Sequence, residues 1–227
     1  SIYFGASDIN YSSVWKGIFF YDSTNATDVI IHDLRLPRAL AAVFVGAALA
    51  VSGSIMQGMT RNPLASPSIL GVTSGALFSM AIAFAFFPNL TYSHTLIFSF
   101  VGAGVGAVLV FTIVAASKGG NATVKLALAG AAITSLLSSL STAIGLRFNV
   151  SKDMSYWYAG GVSGIQFQQL KYVIPIVIVG IIIALLLSRS ITVLSLGDKV
   201  ATGLGQKTRL IRFVGIVVVL LLTGAAV

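Results

Sequence analysis

Cysteine is absent from this 227-residue chain, which rules out disulfides, thiolate metal sites and a cysteine nucleophile. Charge is nearly as scarce. Asp, Glu, Lys and Arg make up 9% of the residues, where an ordinary soluble domain carries roughly 25%. Hydrophobic residues make up 56%, so too few polar side chains remain to keep a soluble surface of this size wet. The two histidines, His32 and His94, lie far apart and show no ligand spacing, and no metal site is expected. The net charge of +8 is scattered between apolar runs and forms no basic stripe, so it reads as membrane-flanking charge and not as a nucleic-acid surface.

Two glycine-rich segments imitate nucleotide motifs and fail on context. Gly102-Ala103-Gly104-Val105-Gly106 lies within an apolar run with no strand before it, where close helix packing through small-xxx-small spacing explains it better. In Gly203-Leu204-Gly205-Gln206-Lys207-Thr208 the Gln206 separates glycine from lysine and breaks the phosphate-loop pattern. No catalytic constellation survives, and no cofactor is expected on this chain.

What the chain does have is long apolar runs. Span A covers about 36–59, span B about 68–87, span C about 95–116, span D about 123–146 and span E about 172–188, while span F starts near Leu210. About 20 apolar residues cross the hydrocarbon core as a helix. The runs are too long for strands and lack the period-two alternation of a barrel, so the expected fold is an all-α polytopic transmembrane bundle with about six spans. The loops after A, C and E carry Arg61, Lys118, Lys125, Arg189, Lys199, Lys207, Arg209 and Arg212, with Asp198 as their one acid. The opposite side has Lys16, Arg35, Arg38, Arg147, Lys152 and Lys171 together with the other five aspartates. By the positive-inside rule the loops after A, C and E are expected in the cytoplasm. No Asp, Glu, Lys or Arg falls in the interior of spans A to E. Coupling to an ion gradient usually requires a buried ionisable group, so the energy for uphill transport is expected from a partner.

The most informative segment is residues 34–75, LRLPRALAAVFVGAALAVSGSIMQGMTRNPLASPSILGVTSGA. Arg35 and Arg38 flank Leu36-Pro37 at one end of span A. Gly46, Ala50, Gly53 and Ser54 fall on or near one face of it, where neighbours can approach closely. Gln57 and Asn62 sit at its other end, Arg61-Asn62-Pro63 and Ser66-Pro67 break the helix, and Gly71-Val72-Thr73-Ser74-Gly75 opens span B. The order LRLPR, GAALAVSG, MQ, RNPLASPSILGVTSGA resembles the FecCD-type permeases of bacterial iron-siderophore and cobalamin uptake ABC transporters. Two further segments carry the likeness. LGDKVATGLG (residues 196–205) is similar to the family's coupling segment, with Asp198 where glutamate is frequent. Tyr156-Trp157-Tyr158-Ala159-Gly160-Gly161-Val162-Ser163-Gly164 resembles its Trp-Gly-Ser-Gly stretch, with Gly161 in place of serine.

The resemblance implies a BtuC-like type II ABC importer permease of roughly ten spans, so residues 1–33 are expected outside the cell and 34–227 in a transmembrane permease domain incomplete at both ends. Spans A to F would then be the second to the seventh. The implied partners are cytoplasmic ABC ATPase subunits, an extracytoplasmic substrate-binding protein, a second permease copy or paralogue, and the lipid bilayer. Ferric siderophore is the implied cargo, with cobalamin or haem as alternatives, in the bacterial plasma membrane. Different classes also stand: a gradient-driven transporter or channel, and a non-transporting scaffold.

Within residues 189–212, Leu196-Gly197 can break the chain, Asp198 suits the positive start of a short helix, and Gly203 or Gly205 can end it. Leu196, Val200, Ala201 and Leu204 would supply apolar contacts, either to an ATPase groove or to the lipid surface. The resemblance implies that Arg35 and Arg38 receive acidic side chains of the binding protein; the alternative is anchoring in lipid headgroups. For the pathway, the hydroxyls of Thr134, Ser135, Ser138, Ser139, Ser141 and Thr142 in span D either line a polar route or bond back to their own helix. Gln57 and Asn62 are further pathway candidates, and the resemblance adds a cytoplasmic gate near Thr73 and Ser74. The aromatics at 156–158 either mark a membrane interface or belong to a short helix at the pathway mouth.

Overall fold

A computed structural model describes residue 3, residues 10–117 and residues 122–227. Residues 1, 2, 4–9 and 118–121, among them Lys118, Gly119 and Gly120, lie outside the described residues. Helices α1 (Tyr11–Phe19) and α2 (Ala26–Val29) precede a π-helical turn (Ile30–Arg35) and α3 (Leu36–Thr60). A 3-10 turn (Pro67–Leu70) leads to α4 (Val72–Phe86), α5 (Tyr92–Ala116), α6 (Ala122–Arg147), α7 (Ser151–Gly160), α8 (Phe167–Ser195), α9 (Asp198–Gly203) and α10 (Thr208–Ala226). The described residues contain no strand.

Five of these helices are long and apolar enough to cross a membrane, and the expected span B is not one of them. Pro67 and Ser66 confine the start of that span to the 3-10 turn, and Gly71 at φ 67° re-aims the chain before α4 begins. The remaining 15 residues of α4 reach about 22 Å, short of the roughly 30 Å hydrocarbon core. α4 is apolar on every side, as a helix enclosed by protein is, and Val72, Ala76, Met80, Ala81 and Ala83 are buried.

Span A, in contrast, is longer than its apolar run. One unbroken helix runs from Ala26 to Thr60, straight through Pro37. Proline lacks an N–H and cannot close the bond to the carbonyl four residues back. The backbone widens just before it, and the Leu36 N–H reaches the Ile31 carbonyl five residues back. Span E is also longer than expected, as α8 takes in Arg189 and ends at Ser195.

Glycines set how closely α4 and α5 approach. A Cβ on Gly75 would overlap the Gly102 carbonyl, and one on Gly106 would overlap the Gly71 carbonyl. Gly102 and Gly106 are four residues apart on one face, while Gly104 faces open space, so the decoy motif is a packing seam. In the 3-10 turn before α4, the Ile69 backbone lies against Gly130 of α6. The face of Gly46, Ala50, Gly53 and Ser54 meets no helix of this chain among the described residues: nothing lies near a Cβ built at Gly46 or Gly53. The packed face of α3 carries Ala41, Ala48, Ser52, Ile55, Met56 and Met59. That face meets α8 and α10 through Val177, Ile191, Val219 and Leu222. A smaller apolar cluster of Val110, Ile133 and Leu137 joins α5 to α6.

Candidate functional site

Functional expectations fall at the two ends of the bundle and in the hydroxyl-rich middle of α6. At the Thr60 end, α3 stops because Arg61 turns left-handed at φ 54°. Asn62 and Gln57 then build the loop. The Asn62 carboxamide oxygen accepts from the Leu64 N–H at 2.9 Å, and Gln57 Nε2 donates to the Pro63 carbonyl at 2.9 Å. Both were expected on the pathway, and both hold this turn. The loop presents Leu64, which is 85% exposed. Sequence reasoning missed that leucine. Its signal was a large apolar residue between two helix-breaking prolines, Pro63 and Pro67.

Next to this loop stands α9. Gly197 at φ 123° makes the turn that separates it from α8. Gly205 at φ 78° ends the segment, where the Gly205 N–H donates to the Thr202 carbonyl at 2.9 Å. Asp198 does more than start the helix. Its Oδ1 accepts from Arg212 Nη2 at 2.6 Å and lies 3.8 Å from Arg61 Nη2, so one carboxylate links α9 to α10 and to the end of α3. Leu196, Val200, Gly203 and Leu204 are exposed, while Ala201 is fully buried in the chain's own core. That corrects one expectation: Ala201 is already packed within this chain and has no face left for a partner. The outward apolar contacts come from Leu196, Val200 and Leu204.

The gate expectation divides. Ser74 is buried between helices, with its hydroxyl 3.1 Å from the Gly71 carbonyl and 3.4 Å from Thr134 Oγ1 of α6. Thr73 instead lines a cavity of about 450 Å³ with Val45, Thr95, Ser99, Trp157 and Gln169. Ser138 and Thr142 line a second cavity of about 300 Å³ with Phe84, Ser141, Trp157 and Tyr158. Leu77, Trp157 and Tyr158 border both. The α6 hydroxyls bond back to their helix: Ser139 to Ser135, Ser141 to Leu137 and Thr142 to Ser138, at 2.8–3.0 Å. Such bonds satisfy these donors within the helix, and of the span D hydroxyl residues Ser138, Ser141 and Thr142 border the second cavity.

The segment at 156–164 forms the end of α7 and the turn after it. Trp157 packs edge-on against Phe84 at 6.1 Å, which places α7 as one wall of both cavities. At the Ala26 end of the bundle, Arg35 Nη1 donates to the Tyr3 carbonyl at 3.2 Å and is half-buried, whereas Arg38 is exposed. His32 sits between Tyr21 and Phe167 with ring centroids at 4.4 and 5.0 Å, and its Nδ1 lies 2.8 Å from Asp33. His94 bonds to Thr91 at 2.6 Å, at the start of α5. Both histidines hold local structure.

The sequence matches the FecCD transport family over residues 1–227. This chain belongs to the FecCD transport family. It is 54% identical over all 227 residues to the iron(3+)-hydroxamate import system permease protein FhuB of Bacillus subtilis (strain 168), and covers 59% of that protein. It is 41% identical over 227 residues to the iron-uptake system permease protein FeuB of the same organism, covering 68% of it. Among solved structures, a metal-chelate type ABC transporter in an inward-facing conformation matches with a TM-score of 0.78 at 28% identity, over 95% of this chain and 70% of that one. The chain thus spans between about three fifths and seven tenths of the proteins it resembles. It is a multi-pass protein of the bacterial inner membrane.

Proposed function

We propose that this chain is the membrane-spanning part of an ATP-driven importer's permease, and that it passes a ferric siderophore across the bacterial plasma membrane. The observation that carries this reading is α9, a short helix outside the spans whose Leu196, Val200 and Leu204 face outward while Asp198 ties it to α3 and α10. An apolar face held rigidly at the end of a bundle suits transmission of a push from a soluble partner. ATP hydrolysis then belongs to separate ATPase subunits, and an extracytoplasmic binding protein delivers cargo near Arg35 and Arg38. A second permease copy or paralogue would complete the route.

The lysine and arginine bias supports a cytoplasmic location for α9, with residues 1–33 outside. The hydroxamate specificity named for the 54% identical relative supports a ferric hydroxamate as cargo. The cavities of about 450 and 300 Å³ that meet at Trp157 are of a size suited to small-molecule ligands.

The test separates energy source from cargo. Leu204→Glu and Val200→Glu are expected to remove ATPase co-purification and energised uptake of radioactive ferric hydroxamate while leaving thermal stability unchanged. Retained ATPase and uptake in both variants would defeat the coupling role. Uptake of haem or cobalamin but of no hydroxamate by the unaltered transporter would defeat the cargo assignment alone.

A further inference from the structure

The function above makes no use of α1, and its side chains are arranged unlike those of a soluble helix. Gly17 is buried, and a Cβ there would lie 3.2 Å from Ile31 of the π-helical turn, so this is the face that attaches α1 to the bundle. Opposite it run Tyr11, Trp15 and Phe19, spaced four residues apart on one stripe and 74%, 64% and 60% exposed. The Trp15 and Phe19 rings meet at a tilt with centroids 4.5 Å apart, and Phe20 extends the patch. Aromatic side chains of this size cover 150–250 Å² each, so the exposed patch amounts to roughly 400–600 Å², at the upper end of what a soluble monomer shows. Lys16 stands beside the stripe, and the helix holds no acidic residue.

The level of α1 along the bundle identifies what covers it. Ile31, its contact point, lies on the same continuous helix as Thr60. The 29 residues of rise between them span about 44 Å, close to the roughly 40–45 Å thickness of a bilayer with its headgroups. With Thr60 at one headgroup layer, α1 lies at the other. We infer that α1 is an interfacial anchor, lying along the membrane surface with Tyr11, Trp15 and Phe19 at the boundary of headgroup and acyl chain and Lys16 toward lipid phosphate. Tryptophan and tyrosine favour that layer, and amphipathic helices lie in its plane. This inference requires only that the chain is a membrane protein. It assigns α1 to lipid and leaves the exposed Arg38 to a protein partner.

The test uses the full chain in phosphatidylcholine nanodiscs. Trp157→Phe leaves Trp15 as the single tryptophan. Its emission should be blue-shifted, and lipids brominated near the glycerol end of the chain should quench it at least about twofold more than lipids brominated near the methyl end. Because the chain has no cysteine, Ser12→Cys takes a single spin label in the otherwise unaltered protein, which keeps the test independent of the Trp157 substitution. The label's oxygen accessibility should exceed that expected in water. Aqueous emission with no bromolipid quenching, or a Trp15 shielded only when the extracytoplasmic binding protein is added, would overturn the assignment.

Discussion

Asp198 offers the sharpest test of how α9 is held. Its carboxylate is 2.6 Å from Arg212 and 3.8 Å from Arg61, and the three side chains are between 37% and 52% exposed. In water's dielectric these separations correspond to attractions of about 1.6 and about 1.1 kcal/mol. Screening and the ordering of long side chains remove much of that, leaving roughly 0.5–1 kcal/mol for the short pair and less for the long one. The consequence is a modest, measurable loosening of α9. If docking of the ATPase needs α9 in its observed place, a loss of 1 kcal/mol weakens binding about fivefold.

The assay is a double-mutant cycle on ATPase binding to the permease in nanodiscs. Asp198→Asn and Arg212→Gln should each weaken binding by about two- to fivefold, and the double variant should be no worse than the weaker single one. Arg61→Gln should cost less, in line with its longer distance. Raising the salt concentration should shrink all three effects. Strictly additive losses for Asp198 and Arg212 would refute the bridge. A loss above about a hundredfold for Asp198→Asn alone would instead make the carboxylate a direct contact with the partner.

Ala201→Glu should lower the melting temperature of the permease itself, because an unpaired charge at a fully buried position costs several kcal/mol; a normal melting temperature in a thermal-shift assay would contradict its internal packing. Gly102→Ala should destabilise by about 1–3 kcal/mol through overpacking, since its Cβ would overlap the Gly75 carbonyl, while Gly104→Ala faces open space and should be neutral. Equal melting temperatures for the two variants would remove the α4–α5 seam. Replacing both Arg35 and Arg38 by glutamate should slow association with the extracytoplasmic binding protein and flatten its salt dependence, because rim charges act mainly on the on-rate; unchanged kinetics at low and high salt would assign these arginines to lipid headgroups.

The helical class and most of the span positions were legible because burial in lipid demands long apolar runs, and composition records that demand directly. Helix ends were less so. Hydropathy cannot register the Ala26–Ile31 stretch as part of the α3 helix, because its continuity depends on a widened backbone turn upstream of Pro37. It also overstated the helical length of span B. Ile69 and Leu70 are apolar enough to extend a span, yet Pro67 and the left-handed Gly71 spend them in a turn. The face of α3 that carries Gly46 and Gly53 shows the same limit from another side: small residues permit close packing, but which face receives a neighbour depends on the whole bundle.

The functional segments follow the same division between chemistry and placement. The short helix at 198–203 was legible from its flanking glycines and its aspartate, because backbone conformation at those residues is a local matter. Which of its side chains point outward was not. Val200 and Ala201 are adjacent in sequence and rotate about 100° apart on a helix, so one is exposed and the other fully buried. The partners of Asp198 lie 14 residues ahead in Arg212 and far behind in Arg61, and no local pattern announces them. Through those two bonds the family-like loop after α3 and the family-like helix α9 become one joint. Gln57 and Asn62 brace the loop, Arg61 reaches from its left-handed cap to Asp198, and Arg212 closes the contact from α10. In the proposed coupling role, a force on Leu204 or Val200 would reach the ends of α3 and α10 together, and α3 carries Val45 to the wall of the larger cavity.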